Sequence, residues 1–452
     1  MKIVIAGAGK VGFTMARRLC REGHDITLID ERPDALEAAS DAMDVMICCG
    51  SCAAPSILRE AEAGKAEVFI AATGNDEANL VACQFARRMG AGHTIARLRN
   101  QQYLDSGESL REIMDLSLAI NPDYVTAEEI SRVLQFPAAT QVDSFPDCEL
   151  EIVTFRITER SRFCGVALSK LPGLFKQKVL ICAAERGGSV RIPDGSFVLQ
   201  AGDSISVTAP PKALRKFFEA AGAYQKPVKN VLILGGSRIA VYLTQLLEST
   251  GVDVTIIESS HERCQQLAEL LQEADVVCAD GTDTTVLAQS GLQDADGFVA
   301  LTNIDEENII LSMYAEKLGV EKVVSKINNE KFTDLLRDVF PDTTLSPKNL
   351  VAERIEGYVR GLAHASDKST IEALYYLGSQ DVTATEFVVG AKAACAGKTL
   401  AELRLKPGVL ISAVVRGGKS FLPDGKTVLQ PGDKAVVVTA GSSVVTLDDI
   451  LA

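Results

Sequence analysis

Short apolar runs alternate with stretches of helical spacing through the first hundred positions. Residues 2–6 are nearly all apolar, as expected for a strand buried on both faces of a parallel sheet. Val11, Met15 and Leu19 then recur at helical spacing over 12–19, and Gly23 marks the stop. The same reading predicts strands at 25–30, 44–48, 68–72 and 94–98 and helices at 35–40, 57–63 and 77–89. Strict β-α alternation with short links predicts a doubly wound parallel sheet. Residues 229–330 repeat the order, and a helix is expected over 122–134.

The grammar changes after that helix. From 149 to about 208 the chain carries short β-rich runs at 151–155, 179–183 and 204–208, punctuated by Arg186-Gly187-Gly188 and Pro193-Asp194-Gly195. These are hairpin signals and predict a small α+β domain. Residues 382–452 carry its copy, with Arg416-Gly417-Gly418 and Pro423-Asp424-Gly425. The expected fold class is therefore α/β: two Rossmann-like domains, each followed by a small α+β domain. The expected boundaries are 1–120, a connecting helix in 121–147, and 148–220; then 229–345, a second connecting helix in 346–369, and 370–452. Tyr224 to Pro227 is the expected linker between halves, and Ser366 to Ser369 a weaker one.

The duplication is explicit in the residues. Gly7-Ala8-Gly9-Lys10-Val11-Gly12 is answered by Gly235-Gly236-Ser237-Arg238-Ile239-Ala240, and Asp30 by Glu258. Thr73-Gly74-Asn75-Asp76 through Asn79 is answered by Thr302-Asn303-Ile304-Asp305 through Asn308, and Gly202-Asp203 by Gly432-Asp433. A duplicated nucleotide-type module with a duplicated appendage suggests a sensor or regulator more than an enzyme.

Composition narrows the picture. At 452 residues the chain holds three to four domains by the usual size relation. A net charge of −14 argues against nucleic acid or an anionic membrane surface as partner. Nothing at Met1 marks export, no apolar stretch approaches the length of a membrane span, and none of the eleven cysteines forms a Cys-x-x-Cys with a matching partner. Buried, reduced thiols are expected, with no metal site. His24, His93, His261 and His364 lack metal-like or triad-like spacing.

In a dinucleotide turn the first glycine permits the tight bend, the second lets backbone approach phosphate, and the third lets helix pack on strand. Gly7, Gly9 and Gly12 fill those places, and Asp30 closes the next strand, where its carboxylate suits the ribose hydroxyls and favours NAD(H) over NADP(H). In the second copy Gly235, Ser237 and Ala240 take the three places. Ser237 puts a Cβ at the phosphate approach, while Arg238 suits a terminal phosphate and Glu258 a ribose. Thr73 and Thr302 are candidate helix N-caps or nucleotide-lining groups. Arg97 and Lys326, at strand ends, are candidates for offsetting phosphate charge or for surface ion pairs. Ser51-Cys52 and Asp280-Gly281 close the third strands, where an adenine ring would rest. The appended domains are poor in His, Cys or Lys candidates for the acid–base pair that a dehydrogenase needs.

The order of these motifs, given twice over the whole chain, resembles the TrkA family, the peripheral nucleotide-binding subunits of Trk-type potassium uptake systems with tandem RCK domains. The resemblance implies a cytoplasmic regulator, typically a ring of four chains, beneath a membrane potassium-transporting subunit, with NAD(H), ATP or ADP in its clefts. Carried onto this sequence, it implies a first site at Gly7 to Val11, Asp30, Ser51, Cys52, Thr73 and Arg97. The second comprises Gly235 to Ile239, Glu258, Asp280, Gly281, Thr302 and Lys326. Site one is expected to prefer NAD(H), and site two to be weaker for NAD(H) or to favour ATP or ADP through Arg238. Two other readings stand beside it: an NAD-dependent oxidoreductase with an unrecognised substrate site, and a soluble NAD or redox sensor with another partner.

Overall fold

The structure, a computed structural model, describes every residue except 101, 104–109, 111–112, 137–138, 140, 145–147, 149, 223–227, 330–331, 333–342, 364–368, 377–381, 392 and 441–445. The expected linker at Tyr224 to Pro227 and most of the weaker one lie outside the described residues.

The first module runs β1 (Lys2–Ala6), α1 (Lys10–Arg21), β2 (Asp25–Asp30), α2 (Pro33–Ala42), β3 (Met46–Cys49), α3 (Pro55–Glu60), β4 (Val68–Ala71), α4 (Asp76–Met89), β5 (His93–Arg97) and β6 (Leu118–Ile120). Its strands pair in parallel in the order β3-β2-β1-β4-β5-β6. Each element follows from its pattern. Ile3 to Ala6 are fully buried because helices cover both sheet faces, and α1 turns Met15, Ala16 and Leu19 inward. The doubly wound expectation is borne out, with one addition: β6 makes a sixth strand where the pattern showed five. At three residues it is too short to carry a periodicity of its own.

The helix α5 (Pro122–Gln135) leads to β7 (Gln141–Ser144), β8 (Glu151–Arg156), β9 (Leu180–Arg186), β10 (Ser189–Arg191), β11 (Ser204–Ala209) and α6 (Pro211–Ala221). The strands form an antiparallel sheet in the order β10-β9-β11-β8-β7. Strand β7 falls in the stretch expected to be a connecting segment.

The second half repeats both modules. Strands β12 (Asn230–Leu234), β13 (Asp253–Glu258), β14 (Asp275–Cys278), β15 (Gly297–Ala300), β16 (Lys322–Lys326) and β17 (Thr343–Leu345) alternate with α7 (Arg238–Glu248), α8 (His261–Leu270), α9 (Thr284–Gln289) and α10 (Asp305–Lys317). The parallel order is β14-β13-β12-β15-β16-β17. Helix α11 (Pro347–Ala363) leads to β18 (Ser369–Tyr376), β19 (Val382–Val389), β20 (Val409–Arg416), β21 (Lys419–Phe421) and β22 (Lys434–Ala440), ordered β18-β19-β22-β20-β21.

Contacts group the modules by kind rather than by half. One compact unit joins residues 1–131 with 229–359, and the other joins 132–228 with 360–452. In the first unit the helix that ends each Rossmann module reaches the other copy. Asn121, just before α5, donates from Nδ2 to Tyr242 Oη on α7 at 2.9 Å, and Tyr124 stacks edge-on against the same ring. From α11, Glu353 and Glu356 pair with Arg18 of α1 at 3.0 and 3.2 Å. The two modules meet through pairs of this kind within one compact unit.

The second unit packs sheet on sheet. Leu150, Ile152 and Cys182 from one sheet meet Ala384, Ala413 and Val436 from the other. The hairpin signals are realised alike in both copies: Gly187 and Gly188 (φ 56° and 78°) and Gly417 and Gly418 (φ 55° and 76°) supply the two positive φ values of a type I′ turn. The repeated Gly-Asp pairs are structural. Asp203 and Asp433 are buried, and each receives the guanidinium of the arginine that opens its hairpin, Arg186 or Arg416.

Candidate nucleotide-binding site

In each Rossmann module strand order reverses between the first and fourth strands, and ligands bind outside the carboxyl ends of strands at such a switch point. Gly7 ends β1 at φ +103°, a conformation that side chains rarely adopt. Gly12 is a packing residue and does not line the cavity: a Cβ there would stand 1.8 Å from the Gly7 carbonyl oxygen. Gly9 differs. A Cβ built on it meets no protein atom within 4 Å, and as N-cap of α1 it offers no side chain to the helix amides. The first turn of α1 is thus open toward the cleft, which fits a phosphate group.

The cavity over this turn measures about 770 Å³. Gly7, Gly9, Lys10 and Val11 line its floor, and Asp30, Ser51, Cys52, Thr73, Gly74 and Arg97 its walls. Ala8 contributes its amide, which donates to Asp30 Oδ2 at 2.7 Å. Burial works against ionising Asp30, but hydrogen bonds from Arg32 and from Ala8 outweigh it and hold the carboxyl below its usual range. Asp30→Ala is expected to weaken NADH binding by about 1.5–3 kcal/mol, the range for hydrogen bonds to a charged group; an unchanged NADH isotherm would remove Asp30 from the site.

Arg97 is not a surface ion pair. It is buried and donates to Thr73 O at 2.9 Å, while its Nε finds no partner among the described residues. Burial lowers its guanidinium to about 10, so it stays protonated at neutral pH. Lys326 is likewise buried, bonded to Leu301 O and Asn303 Oδ1, and burial lowers its ammonium. Both are cations held in place at the cavity wall.

Neither Thr73 nor Thr302 caps a helix. Asn75 caps α4 through Ala78 N, and Ile304 stands at the α10 cap. The threonines are instead held by asparagines that the reading of the repeat left without a role. Asn79, fully buried, accepts from Thr73 N and Oγ1 and donates to Arg97 O at 2.8 Å; Asn308 does the same for Thr302 and Lys326. Their signal was the six-residue spacing from each threonine. Asn79→Ala strands the Thr73 amide and the Arg97 carbonyl, and a loss of about 2–4 kcal/mol in denaturant unfolding is expected.

The largest departure concerns the second set of candidates. Gly235, Gly236, Ser237, Glu258, Asp280, Gly281 and Thr302 do line one cleft, of about 660 Å³. Arg238, Ile239 and Lys326 do not. They line the first cavity, together with Lys348, across the seam between the two modules. Lys10, Arg97 and Arg99 thus face the same space as Arg238, Lys326 and Lys348. The second cleft is lined by Glu258, Asp280 and Glu307, with no lysine or arginine among its lining residues. Ser237 Oγ takes the Ala240 amide at 3.4 Å, and Arg263 Nε bonds the Gly236 carbonyl at 2.6 Å, so this turn is satisfied from within. Glu258 Oε2 accepts from Gly236 N at 2.8 Å, in the place of Asp30 and Ala8.

None of the eleven cysteines is in a disulfide; Cys20, Cys148 and Cys164 are half-buried, and Cys49 and Cys278 are exposed rather than buried. Among the described residues no helix is long and apolar enough to cross a membrane.

Two dinucleotide-type clefts in one body, with paired antiparallel domains appended, define a tandem nucleotide-binding regulator. Models of the TrkA-N domain match residues 3–122 and 231–347, and those of the TrkA-C domain match 152–222 and 384–452. The Trk system potassium uptake protein TrkA homolog of Archaeoglobus fulgidus is 30% identical over 451 residues, covering 100% of both chains. The TrkA of Vibrio alginolyticus is 30% identical over 441 residues, 97% of this chain and 95% of that one. The chain belongs to the TrkA family. Its fold matches the GsuK channel, solved also with NAD, at a TM-score of 0.63 and 20% identity over 97% of this chain and 76% of that chain.

Proposed function

We propose that this chain is the nucleotide-sensing regulatory subunit of a Trk-type potassium uptake system, and that its first cavity is the sensing site. The family gives the system, and one observation carries the site: the cavity gathers cations from both Rossmann modules over an open helix N-terminus. A bound anionic nucleotide touches both modules at once, so its affinity depends on how they sit. A ligand shifts a conformational equilibrium only by its difference in affinity between the two states. A site shared across a seam supplies that difference.

NAD(H) is the first candidate, its ribose on Asp30 and its pyrophosphate on the α1 turn. ATP or ADP fits the same cavity, its terminal phosphates toward Arg238. The chain performs no hydride transfer in this reading, and it acts at the cytoplasmic face of the membrane as a ring, four chains in the family pattern, under a potassium-transporting subunit. Titration of the full chain with NADH and ATP, separately and in competition, tests the site. Mutually exclusive binding of about one nucleotide per chain is expected. Independent binding of both would refute a single shared cavity. Potassium flux through vesicles carrying the membrane subunit, with and without this chain and nucleotide, tests the system. Sustained NADH oxidation with a small carbonyl substrate would return the oxidoreductase reading.

A further inference from the structure

The two modules end their third strands on exposed cysteines at equivalent places. Cys49 pairs in register with Asp30, and Cys278 with Glu258. Their surroundings differ. In the first module the α2 position facing that strand end holds Leu36, fully buried, and Pro33 opens the helix. In the second module Cys264 and His261 stand at those places on α8.

Three groups therefore meet beside Glu258. The Cys264 thiol donates to the Glu258 carbonyl oxygen at 3.3 Å, and Cys278 stands in register with Glu258 on the neighbouring strand. Cys278 Sγ lies 3.8 Å from His261 Nδ1. Cys264 is buried and Cys278 open to solvent. Among the described residues no group of His, Cys, Asp and Glu is arranged to hold a metal ion. An accessible thiol with a base at its side and a second thiol behind it is the arrangement of an oxidisable pair.

We infer that Cys278 and Cys264 form an oxidation-sensitive dithiol, with Cys278 attacking a hydroperoxide and Cys264 resolving the product to a disulfide. In the first step the Cys278 proton passes to His261 and sulfur attacks a peroxide oxygen. The S–O bond forms as the O–O bond breaks, and sulfur is oxidised by two electrons. The peroxide is reduced, its second oxygen leaving as water or alcohol with that proton. In the second step Cys264 sulfur attacks the sulfenic sulfur. The S–S bond forms, the S–O bond breaks, and the hydroxide leaves as water with the Cys264 proton. Burial raises the Cys264 thiol to about 11, so the attack on peroxide falls to the exposed Cys278 and resolution by Cys264 is the slower step. The product ties the first turn of α8 to the end of β14, beside the carboxylate of the second cleft.

The test uses the full chain and hydrogen peroxide. Free thiols are alkylated after treatment, disulfides are reduced and labelled with a second reagent, and peptides are read by mass spectrometry. The expected result is joint loss of the Cys264 and Cys278 thiols, recovered on reduction, with a linked peptide containing both. Cys49 is the internal comparison: exposed at the equivalent strand end, with Leu36 at the helix position equivalent to Cys264, it is expected to form no link to α2. In Cys264→Ala, dimedone should trap Cys278 as the sulfenic acid. Three outcomes overturn the inference: Cys278 oxidised to the sulfinic state while Cys264 stays free, Cys278 no more reactive than Cys49, or neither thiol of the pair oxidised.

Discussion

Gly9→Ala should cost the first cavity its nucleotide while leaving the fold nearly intact, and Gly12→Ala should weaken the fold itself. The two glycines lie three residues apart in one turn, yet they meet different surroundings. A methyl at Gly9 touches no protein atom, and its backbone (φ −71°, ψ −174°) is extended and open to any residue. Its stability cost is that of a poorer N-cap, no more than about 1 kcal/mol. The methyl does occupy the space that a phosphate must enter to reach the α1 amides, so a loss of more than about tenfold in NADH affinity is expected. At Gly12 the same methyl would stand 1.8 Å from the Gly7 carbonyl oxygen, a backbone atom that cannot yield without moving β1 or α1. About 3 kcal/mol of destabilisation follows, at the upper end for overpacked interiors. Denaturant unfolding and an NADH isotherm on both variants separate the two effects. If Gly9→Ala binds NADH as the parent does, the turn is not a phosphate cradle.

Arg238→Ala should weaken ATP and ADP at the first cavity by about 1.5–3 kcal/mol, as for loss of a charge-assisted hydrogen bond to phosphate. Read along the chain, Arg238 belongs to its own module, and its removal would barely touch ligand bound at the first. Its place in the cavity, beside Lys326 and Lys348 of the same module, reverses that expectation. The second cleft, walled by Glu258, Asp280 and Glu307, loses the cation that made ATP or ADP attractive there. It should bind any phosphorylated nucleotide more weakly than the first cavity does. Isothermal titration of Arg238→Ala with ATP decides the point. Full ATP affinity in the variant would place its terminal phosphates elsewhere.

Much of this protein was legible from residues alone, and the reason is locality. The alternation of buried strands and amphipathic helices, the glycine turn with Asp30 beyond it, and the paired positive-φ glycines at 187–188 and 417–418 are each decided within a few residues. Duplication then doubled every signal. Even the clamp residues Asn79 and Asn308 were visible as spacing, though not as function, because their partners Arg97 and Lys326 lie a strand away.

Tertiary structure alone decided how the copies pair. Like modules join across the two halves, through contacts such as Asn121 with Tyr242 and Arg18 with Glu356, separated by more than a hundred residues. No periodicity encodes such contacts. That pairing set Arg238, Ile239 and Lys326 along the cavity of the other module, while Lys326 also bonds Leu301 and Asn303 of its own cleft. It also left the second cleft acidic, with Ser237, whose hydroxyl accepts from the first turn of its own helix, lining both clefts. Chemistry was written locally along the chain; ownership of the site was settled by which surfaces bury each other.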